Sequence, residues 1–347
     1  MHGTQTTPQE AGAALLAWYD REGRALPWRV RGGLADPYRV WLSEVMLQQT
    51  TVAAVIPYFE AFTRRWPTVE ALAAADDGEV MAAWAGLGYY ARARNLLACA
   101  RAVAAAGGRF PRTAEALRQL PGVGAYTSAA VAAIAFGEAV AVVDGNVERV
   151  ASRLLALERP PKEVPREVAA RVAAMMPQDR PGDFAQAMMD LGATICTPRR
   201  PACALCPLRT ACRAARAGDP AAYPVKAPKR ARKDWRGVAF VPWRPDGTVL
   251  MRRRPPKGLL GGMMEVFGSP WGEAPAEPLL HAPIEADWKE AGGVTHVFTH
   301  ATLTLTVYAA PVGARTAAPE GAWWLEPGAA GLPTVMRKVV ERGLGGI

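Results

Sequence analysis

Apolar residues recur at helical spacing over the first two thirds of the chain. Between residues 8 and 216, stretches rich in Ala and Leu are interrupted by Pro and Gly, with few strand-like alternations. This pattern predicts a series of short amphipathic helices. The amino-terminal region is therefore expected to be all-α.

Apolar and polar residues alternate in the last third of the chain. Residues 238–243 and 249–253 flank Asp246 and Gly247, a pair typical of a β-hairpin turn, and residues 302–308 alternate again. Alternation over such short runs predicts strands. The carboxyl-terminal region is expected to be an α+β domain.

A basic segment rich in Pro separates the two patterns. Residues 218–234 contain several prolines and a run of Lys and Arg, a composition typical of an extended linker. We therefore expect a multi-domain protein, with an all-α region over residues 1–217, a linker over residues 218–234 and an α+β domain over residues 235–347. With 347 residues, each domain can bury its own core.

The excess of basic residues indicates an anionic partner. The chain has 41 Lys and Arg against 32 Asp and Glu, a formal net charge of +9, and this favours nucleic acid over acidic lipid. The amino terminus lacks a signal-peptide pattern, and no apolar run approaches the ~20 residues needed to cross a bilayer. We expect a monomeric cytoplasmic protein that does not bind membranes.

Four of the five cysteines form one dense group, with six, two and five residues between successive members. Thiolate sulfur suits either zinc or an iron–sulfur cluster, and the ligand type alone leaves both open. Disulfides are disfavoured because cysteines this close would form small, strained rings. The fifth cysteine, Cys99, lies in an Ala-rich stretch and is expected in the core. The group consists of Cys196, Cys203, Cys206 and Cys212.

The segment Leu-Pro-Gly-Val-Gly at residues 120–124 resembles a helix-hairpin-helix turn. It joins a helix predicted to end near Leu120 to one predicted to begin near Ala125. Glycines remove side-chain clashes, so that amides at the start of the next helix can face a phosphate. Gly122, Val123 and Gly124 are therefore candidate contacts to a DNA backbone, with an ordinary turn between helices as the alternative.

Longer motifs resemble a known family. The segments Leu-Ser-Glu-Val-Met-Leu-Gln-Gln-Thr at 42–50, Gly-Leu-Gly-Tyr-Tyr at 86–90 and Val-Asp-Gly-Asn-Val at 143–147, together with the cysteine spacing, are similar to the MutY-type adenine DNA glycosylases of the endonuclease III superfamily. The resemblance extends from about residue 26 to residue 212.

The resemblance implies how the helical region is divided and what the cysteines bind. It implies a six-helix helix-hairpin-helix domain over about residues 30–145, and an iron–sulfur domain made of residues 8–29 and 146–217. The four cysteines would hold a [4Fe-4S] cluster. Three arginines beside them would supply positive charge to DNA; these are Arg199, Arg200 and Arg209.

Two acidic residues suit the chemistry of base removal. Breaking the bond between a purine and deoxyribose requires a proton on the base and stabilisation of an oxocarbenium-like sugar. Glu44 has apolar neighbours on a predicted helix, and burial would raise its pKa. By the resemblance, Glu44 protonates N7 of adenine, and Asp144 stabilises the sugar or attacks it covalently. A solvated helix face for Glu44 and a helix N-cap for Asp144 are the structural alternatives.

Position 126 distinguishes two subclasses. Glycosylases that also nick the backbone place a lysine just after Gly-x-Gly-x, where its amine forms a Schiff base with the sugar. This chain has Tyr126 there, and no lysine occurs before residue 162. We therefore expect a monofunctional glycosylase. Tyr126 and Asn146 match active-site positions of the family.

Further matches concern base extrusion. A base must leave the helical stack to reach such a site. Gln49 and Tyr89 match the family positions that wedge into the duplex, while Trp28 and Arg29 match positions near the adenine pocket. Asp190 is a further candidate for contacting the base. Core packing is the alternative for Trp28 and Tyr89.

Residues 235–347 resemble the Nudix-like carboxyl-terminal domain of the same family. The Arg-Glu-x-x-Glu-Glu helix that binds metal in Nudix hydrolases is missing, so metal-dependent hydrolysis is not expected. Phe298, Thr299 and His300 match the family's Phe-Ser-His loop, which contacts 8-oxoguanine. Threonine replaces serine and adds a methyl group that stiffens χ1. An ordinary strand is the alternative.

These matches imply a base-excision repair enzyme. It would hydrolyse the N-glycosidic bond of adenine paired with 8-oxoguanine or guanine in double-stranded DNA, and in a bacterium it would associate with the nucleoid. One alternative is an endonuclease III-like glycosylase/lyase, which Tyr126 disfavours. Another is a non-catalytic iron–sulfur DNA-binding protein, which the presence of Glu44 and Asp144 disfavours.

Overall fold

The computed structural model describes residues 6–227, 232–255, 258–298 and 300–345. None of the described helices is long and apolar enough to cross a bilayer.

The chain divides into two compact units, Met1–Pro228 and Lys229–Ile347. The described part of the first unit is helical, and that of the second combines a six-stranded sheet with a carboxyl-terminal helix. The predicted fold class, an all-α region followed by an α+β domain, is confirmed.

Short turns join the helices of the first unit. Side-chain caps fix several of their starts: Thr51 begins one helix and Asp76 another, each accepting a hydrogen bond from a first-turn amide. The helices are α1 (Pro8–Glu22), α2 (Pro37–Leu47), α3 (Val52–Arg65), α4 (Val69–Ala73), α5 (Asp77–Ala83), α6 (Ala91–Ala105), α7 (Ala114–Leu117), α8 (Ala125–Phe136), α9 (Gly145–Leu155), α10 (Pro165–Met175), α11 (Pro181–Thr194) and α12 (Arg213–Arg216).

The first unit contains two hydrophobic cores. One is built mainly from α2 to α8, where Trp41 and Phe59 are fully buried. The other joins α1 to α9, α10, α11 and α12, where Tyr19 and Phe184 are among the buried side chains. Met189 on α11 packs against both cores. The boundary between these cores is where the candidate site lies.

Helix α8 is buried along most of its length, and its composition explains why. Residues 127–135 are all buried, and small Ala and Ser side chains make up most of this stretch. Small residues let α2 and α11 pack closely against it. Its start at Ala125 agrees with the sequence-based prediction.

The helix before the hairpin ends earlier than predicted. Helix α7 ends at Leu117 rather than near Leu120, because the chain continues as tight turns in which Leu120 N donates to Leu117 O at 3.1 Å. Val123 N then donates to Leu120 O at 3.2 Å. The hairpin is therefore a longer irregular segment than the apolar pattern indicated.

The second unit is a mixed sheet in the order β4-β5-β1-β3-β2-β6. β1 and β5 pair in parallel, and the other neighbours are antiparallel. Helix α13 (Thr334–Leu344) packs against β1, β4 and β5. The strands are β1 (Lys233–Trp243), β2 (Val249–Arg253), β3 (Met264–Gly268), β4 (Lys289–Val297), β5 (Ala301–Pro311) and β6 (Ala322–Leu325).

Two strand predictions are confirmed in this sheet. Asp246 and Gly247 form the turn between β1 and β2, where Gly247 adopts φ 83°, a value that glycine reaches without strain. Along β5, Leu303, Leu305 and Val307 are buried, while the residues between them are more exposed. This alternation places one face of β5 in the core.

Candidate active site

A cavity of about 440 Å³ lies between the two cores of the first unit. Its lining brings together the loop before α2, the end of α2, and parts of α8, α9 and α11. Several residues singled out in the sequence lie in this lining. They are Trp28, Arg29, Glu44, Gln49, Tyr126, Asp144 and Asn146.

Glu44 is buried in this cavity, with only 5% of its surface exposed. Tyr126 Oη donates a hydrogen bond to Glu44 Oε2 at 2.7 Å. Burial raises the pKa of Glu44 to about 7, against smaller opposing effects of the Tyr126 hydrogen bond and the charge of Arg29; the charge of Asp144 adds to the increase. The solvated-face alternative for Glu44 is wrong, because the side chain is buried rather than exposed to solvent.

Tyr126 lies at the start of α8 and contacts two sides of the cavity. Its hydroxyl also lies 3.2 Å from Met189 Sδ on α11. Burial is the main reason that the pKa of Tyr126 is raised well above its ordinary value, and the nearby carboxylates Glu44 and Asp144 add to this increase. Tyr126 therefore stays a neutral hydrogen-bond donor to Glu44.

Asp144 combines the N-cap role with a place in the cavity. Its Oδ1 accepts a hydrogen bond from Val147 N at 2.7 Å, which begins α9. Its Oδ2 accepts from Asn146 Nδ2 at 3.1 Å. Asn146 is in turn held by Arg149, whose Nη2 donates to Asn146 Oδ1 at 2.8 Å. The cap thus fixes the direction of the Asp144 carboxylate.

Arg29 is held by a buried carboxylate. Asp190 on α11 is fully buried, and it accepts hydrogen bonds from Arg29 Nη1 at 2.7 Å and Nη2 at 2.8 Å. Arg24 adds a backbone bond at 2.9 Å and a side-chain bond at 2.8 Å. Burial raises the pKa of Asp190, but the bonds to the two arginines outweigh this effect and leave the pKa lowered. The suggestion that Asp190 contacts the base does not fit this arrangement, because arginines occupy its two oxygens.

Trp28 and the two wedge candidates occupy different surroundings. Trp28 is buried and packs edge-on against Phe59, with 5.2 Å between the ring centroids, while also lining the cavity. Gln49 and Tyr89 are exposed, and Tyr89 has 57% of its surface accessible. The core alternative is therefore wrong for Tyr89, whereas Trp28 has both a packing role and a place in the cavity.

In the hairpin before α8, Gly122 and Gly124 are exposed to solvent. Gly122 adopts φ 71°, and a Cβ there would lie 2.6 Å from Asn95 Cβ. Val123 is buried and anchors the turn, while Gly124 is the N-cap of α8 and faces open space. No side chain caps the first amides of α8. Such amides, at the positive end of the helix dipole, suit an anion.

The four clustered cysteines line one small cavity of about 20 Å³. None of the four forms a disulfide, and Cys99 is buried in the first core, as expected. Among the described residues, no group of three His, Cys, Asp or Glu side chains is arranged to bind a single metal ion. Arg199, Arg200 and Arg209 are exposed in the same loop.

Phe298 and His300, two of the three candidate lesion-recognition residues, lie in the connection between β4 and β5. Phe298 N donates to Ala301 O at 2.7 Å, and the rings of Phe298 and His300 stack with 6.5 Å between their centroids. The strand alternative is wrong for Phe298 and His300, since β4 ends at Val297 and β5 begins at Ala301. Trp271 stacks on Phe298 and Trp235 meets His300 edge-on. Thr299 lies outside the described residues.

The structure also adds cavity residues that the sequence reasoning missed. Arg24 and Met189 line the cavity, yet neither carries a local motif. Arg24 contacts Asp190 across 166 positions of sequence. Only an interaction between distant segments reveals their role.

Comparison with known proteins identifies both regions. Residues 42–174 match the HhH-GPD superfamily of base excision DNA repair proteins, and residues 238–342 match the NUDIX domain family. In an alignment of 397 positions, the chain is 38% identical to the adenine DNA glycosylase of Homo sapiens. This alignment covers 94% of this chain and 72% of the relative. It is 44% identical to the adenine DNA glycosylase of Mycolicibacterium smegmatis over 211 residues, covering 60% of this chain and 70% of the relative.

Solved structures agree on the fold of the helical part. A thermostable thymine-DNA glycosylase is 30% identical with a TM-score of 0.54, covering 60% of this chain and 97% of that one. A trapped endonuclease III–DNA covalent intermediate is 25% identical with a TM-score of 0.50, covering 61% and 98%.

Proposed function

Because this chain belongs to the family of adenine DNA glycosylases, DNA-binding enzymes of base-excision repair, we propose that it hydrolyses the N-glycosidic bond of adenine paired with 8-oxoguanine or guanine. We also propose that it does so without cutting the DNA backbone. The observation that carries this proposal is the buried Glu44, with a pKa raised to about 7, in one cavity with Asp144 and Tyr126.

Glu44 acts as the general acid in this proposal. The C1′–N9 bond breaks and its electron pair moves to the adenine, which accepts the Glu44 proton at N7. A water oxygen then bonds to C1′, and the carboxylate takes up the proton that the water releases. A carboxyl group with a pKa near the working pH can perform both steps.

Asp144 stabilises the cationic sugar that forms when the bond breaks. The bonds from Val147 N and Asn146 Nδ2 hold its carboxylate in place before substrate arrives. Tyr126 orients Glu44 and contacts the reacting nucleotide. Among the described residues that line the cavity there is no lysine, which supports the monofunctional assignment because a Schiff base needs an amine.

Contacts with the duplex are assigned to exposed elements of the first unit. Gly122, Val123 and Gly124 place the amides of α8 against a phosphate. Gln49 and Tyr89 fill the space that the extruded adenine leaves, while Trp28 and Arg29 line the pocket that receives it. Arg199, Arg200 and Arg209 add positive charge, which should make binding salt-dependent.

The four cysteines are proposed to hold a [4Fe-4S] cluster. In such a cluster each cysteine binds a different iron, whereas the ligands of zinc must all meet around one ion. Four cysteines around one small cavity suit such a cluster, and their spacing, which resembles that of the family, favours the cluster over zinc. The cluster would fold the loop that carries the exposed arginines.

The second unit is proposed to recognise 8-oxoguanine. Phe298 and His300 lie in the β4–β5 connection, and Thr299 would add a hydroxyl group by its place in the sequence. The rings of Trp271 and His300 both stack on that of Phe298. Aromatic contacts that order side chains before a base binds lower the entropic cost of recognition.

The first experiment measures single-turnover adenine release from duplexes with A opposite 8-oxoguanine, G or T. The first two should react, and strand breaks should appear only after alkali. Glu44→Gln should abolish release while retaining duplex binding. Wild-type rates in Glu44→Gln would contradict the acid assignment, and breaks without alkali would indicate a lyase.

Lesion preference has its own test. Thr299→Ala combined with His300→Ala should lower the ratio of the rates opposite 8-oxoguanine and opposite guanine, while the rate opposite guanine changes little. His281→Ala, in the Pro278–His281 turn, is the matched control. An unchanged ratio in the double variant would remove this loop from lesion recognition.

A further inference from the structure

Two loops of the first unit, one of which lines the cavity, share an unusual backbone feature. Gln49, just after α2, adopts φ 58°, and Tyr89, just before α6, adopts φ 51°. Residues with a Cβ are disfavoured in this left-handed region by roughly 1–2 kcal/mol. Such conformations persist only where the surrounding structure holds them, so something must fix both loops.

The side chain of Arg92 bonds to both loops. Arg92 is near the start of α6 and is 93% buried, with 7% of its surface exposed. Its Nη1 donates to the carbonyl oxygens of Val45, Met46 and Gln48 at 3.2, 2.8 and 2.5 Å. These carbonyls belong to the last turn of α2 and the residue after it, and such carbonyls lack partners within a helix.

The other terminal nitrogen of Arg92 connects to the second loop. Its Nη2 donates to Leu87 O at 3.1 Å and to Gly88 O at 3.3 Å, and also to Thr50 Oγ1 at 3.0 Å. One guanidinium group thus joins the residues on both sides of Gln49 to the residues that precede Tyr89.

Aromatic contacts complete the surroundings of this guanidinium. Its carbon lies 5.3 Å from the centroid of the Trp84 ring and 5.4 Å from that of Tyr89. Trp84 Nε1 donates to Gly88 O at 3.0 Å, the same carbonyl that Arg92 binds. Tyr58 Oη donates to Ala85 O at 2.7 Å and supports the start of the turn. The turn before α6 is therefore held at several points.

We propose that Arg92 is a positioning residue that fixes the Gln49 and Tyr89 loops relative to each other, so that both side chains enter the duplex together when adenine is extruded. This inference rests on the proposed wedge roles of Gln49 and Tyr89. Arg92 itself is not among the residues that line the cavity. Its contribution is to fix the two loops before DNA binds, so that less ordering is needed during extrusion.

Lysine cannot replace arginine in this arrangement. Arginine presents a flat fork of donors that can reach carbonyl groups on both sides, whereas lysine has one compact ammonium group. Arg92→Lys keeps the charge but cannot bond to both loops at once. The two left-handed residues would then relax independently.

The main test compares Arg92→Lys with Arg101→Lys. Arg101 lies on the same helix and donates to Ala73 O at 3.3 Å and Ala75 O at 3.2 Å, far in sequence from either loop. Single-turnover adenine release opposite 8-oxoguanine should fall about tenfold or more in Arg92→Lys, because extrusion costs a few kcal/mol and tenfold corresponds to ~1.4 kcal/mol. Arg101→Lys should stay within about twofold of the wild-type rate.

A second duplex separates positioning from general damage to the fold. Mismatched pairs on both sides of the target adenine make unstacking easier. The deficit of Arg92→Lys should shrink to about threefold or less on this duplex, and Gln49→Ala and Tyr89→Ala should show the same dependence on the flanking pairs. A deficit of equal size on both duplexes would overturn the proposal.

Thr50→Val keeps the proposal testable if Arg92→Lys does not fold. It removes one acceptor of Arg92 with little change of shape, and it should slow release a few-fold on the paired duplex only. An unchanged rate would overturn the proposal.

Inactive wild-type enzyme would instead refute the proposed substrate. If Gln49→Ala and Tyr89→Ala behave as wild type, the wedge roles fail and the Arg92 proposal fails with them; if they are impaired and Arg92→Lys is not, only the Arg92 proposal fails.

Discussion

The protonation of Glu44 should set the pH dependence of adenine release. Burial raises its pKa from 4.5 to about 7, a difference that corresponds to ~3 kcal/mol in favour of the protonated acid. About half of the molecules would carry the proton at neutral pH, compared with roughly one in 300 for an unshifted glutamate. The single-turnover rate should be flat below about pH 6 and fall about tenfold per pH unit above about pH 8.

Tyr126→Phe should shift the alkaline limb of the pH profile, the range in which the rate falls, to higher pH. The Tyr126 hydroxyl donates to Glu44 Oε2 at 2.7 Å, and this bond lowers the Glu44 pKa by stabilising the carboxylate. Its removal should raise the pKa. Since a hydrogen bond to a charged group contributes ~1.5–3 kcal/mol, the midpoint should move up by about one to two pH units.

The assay is single-turnover release at saturating enzyme across about pH 5 to about pH 9.5, a range that spans the limb. The midpoint is informative even if Tyr126→Phe lowers the overall rate. Tyr38→Phe is the matched control, because Tyr38 is on the same helix as Glu44 and its hydroxyl donates to Trp66 O at 2.7 Å instead of to a carboxylate. A wild-type limb below about pH 5.5, or a downward shift in Tyr126→Phe, would refute the reasoning.

Three further predictions concern stability. Folded Glu44 binds more protons than unfolded Glu44 between pH 4.5 and about 7, so its burial destabilises the fold as pH rises through this window. In denaturant unfolding, Glu44→Gln should therefore gain on the order of 3 kcal/mol at about pH 8 and little at about pH 4.5. Asp190→Asn leaves Arg29 with a weaker buried partner and should cost about 3–5 kcal/mol by the same measurement. Gly122→Ala forces a Cβ to within 2.6 Å of a neighbouring side chain at φ 71° and should lower the thermal midpoint. Gly124→Ala meets no atom and costs only the N-cap preference for glycine, so it should lower the midpoint less.

The sequence predicts those parts of the fold in which a local pattern decides the structure. The alternation along β5 corresponds to a buried face, and the turn at Gly247 falls where a positive φ is required. The apolar neighbours of Glu44 also predict its burial correctly. In each case residues close in sequence determine the outcome, so the prediction needs no knowledge of the rest of the chain.

The sequence does not predict features that depend on contacts between distant segments. From the sequence, Asp190 is a candidate for contacting the base. In the structure, Arg24 and Arg29 occupy its two oxygens. Arg92 shows no distinguishing pattern, since its partners are backbone carbonyls, which every residue has. The end of α7 at Leu117 was also missed, because tight turns continue the apolar spacing of a helix.

The acidity of Glu44 is a property of its surroundings rather than of the residue alone. Burial and the charge of Asp144 raise its pKa, while the Tyr126 hydrogen bond and the charge of Arg29 lower it, and the balance lies at about 7. Asp190 takes part without touching Glu44, because its bidentate bond holds Arg29 in place and neutralises part of its charge. The buried pair that stabilises the loop before α2 therefore also fixes the position of a charge that contributes to the Glu44 pKa.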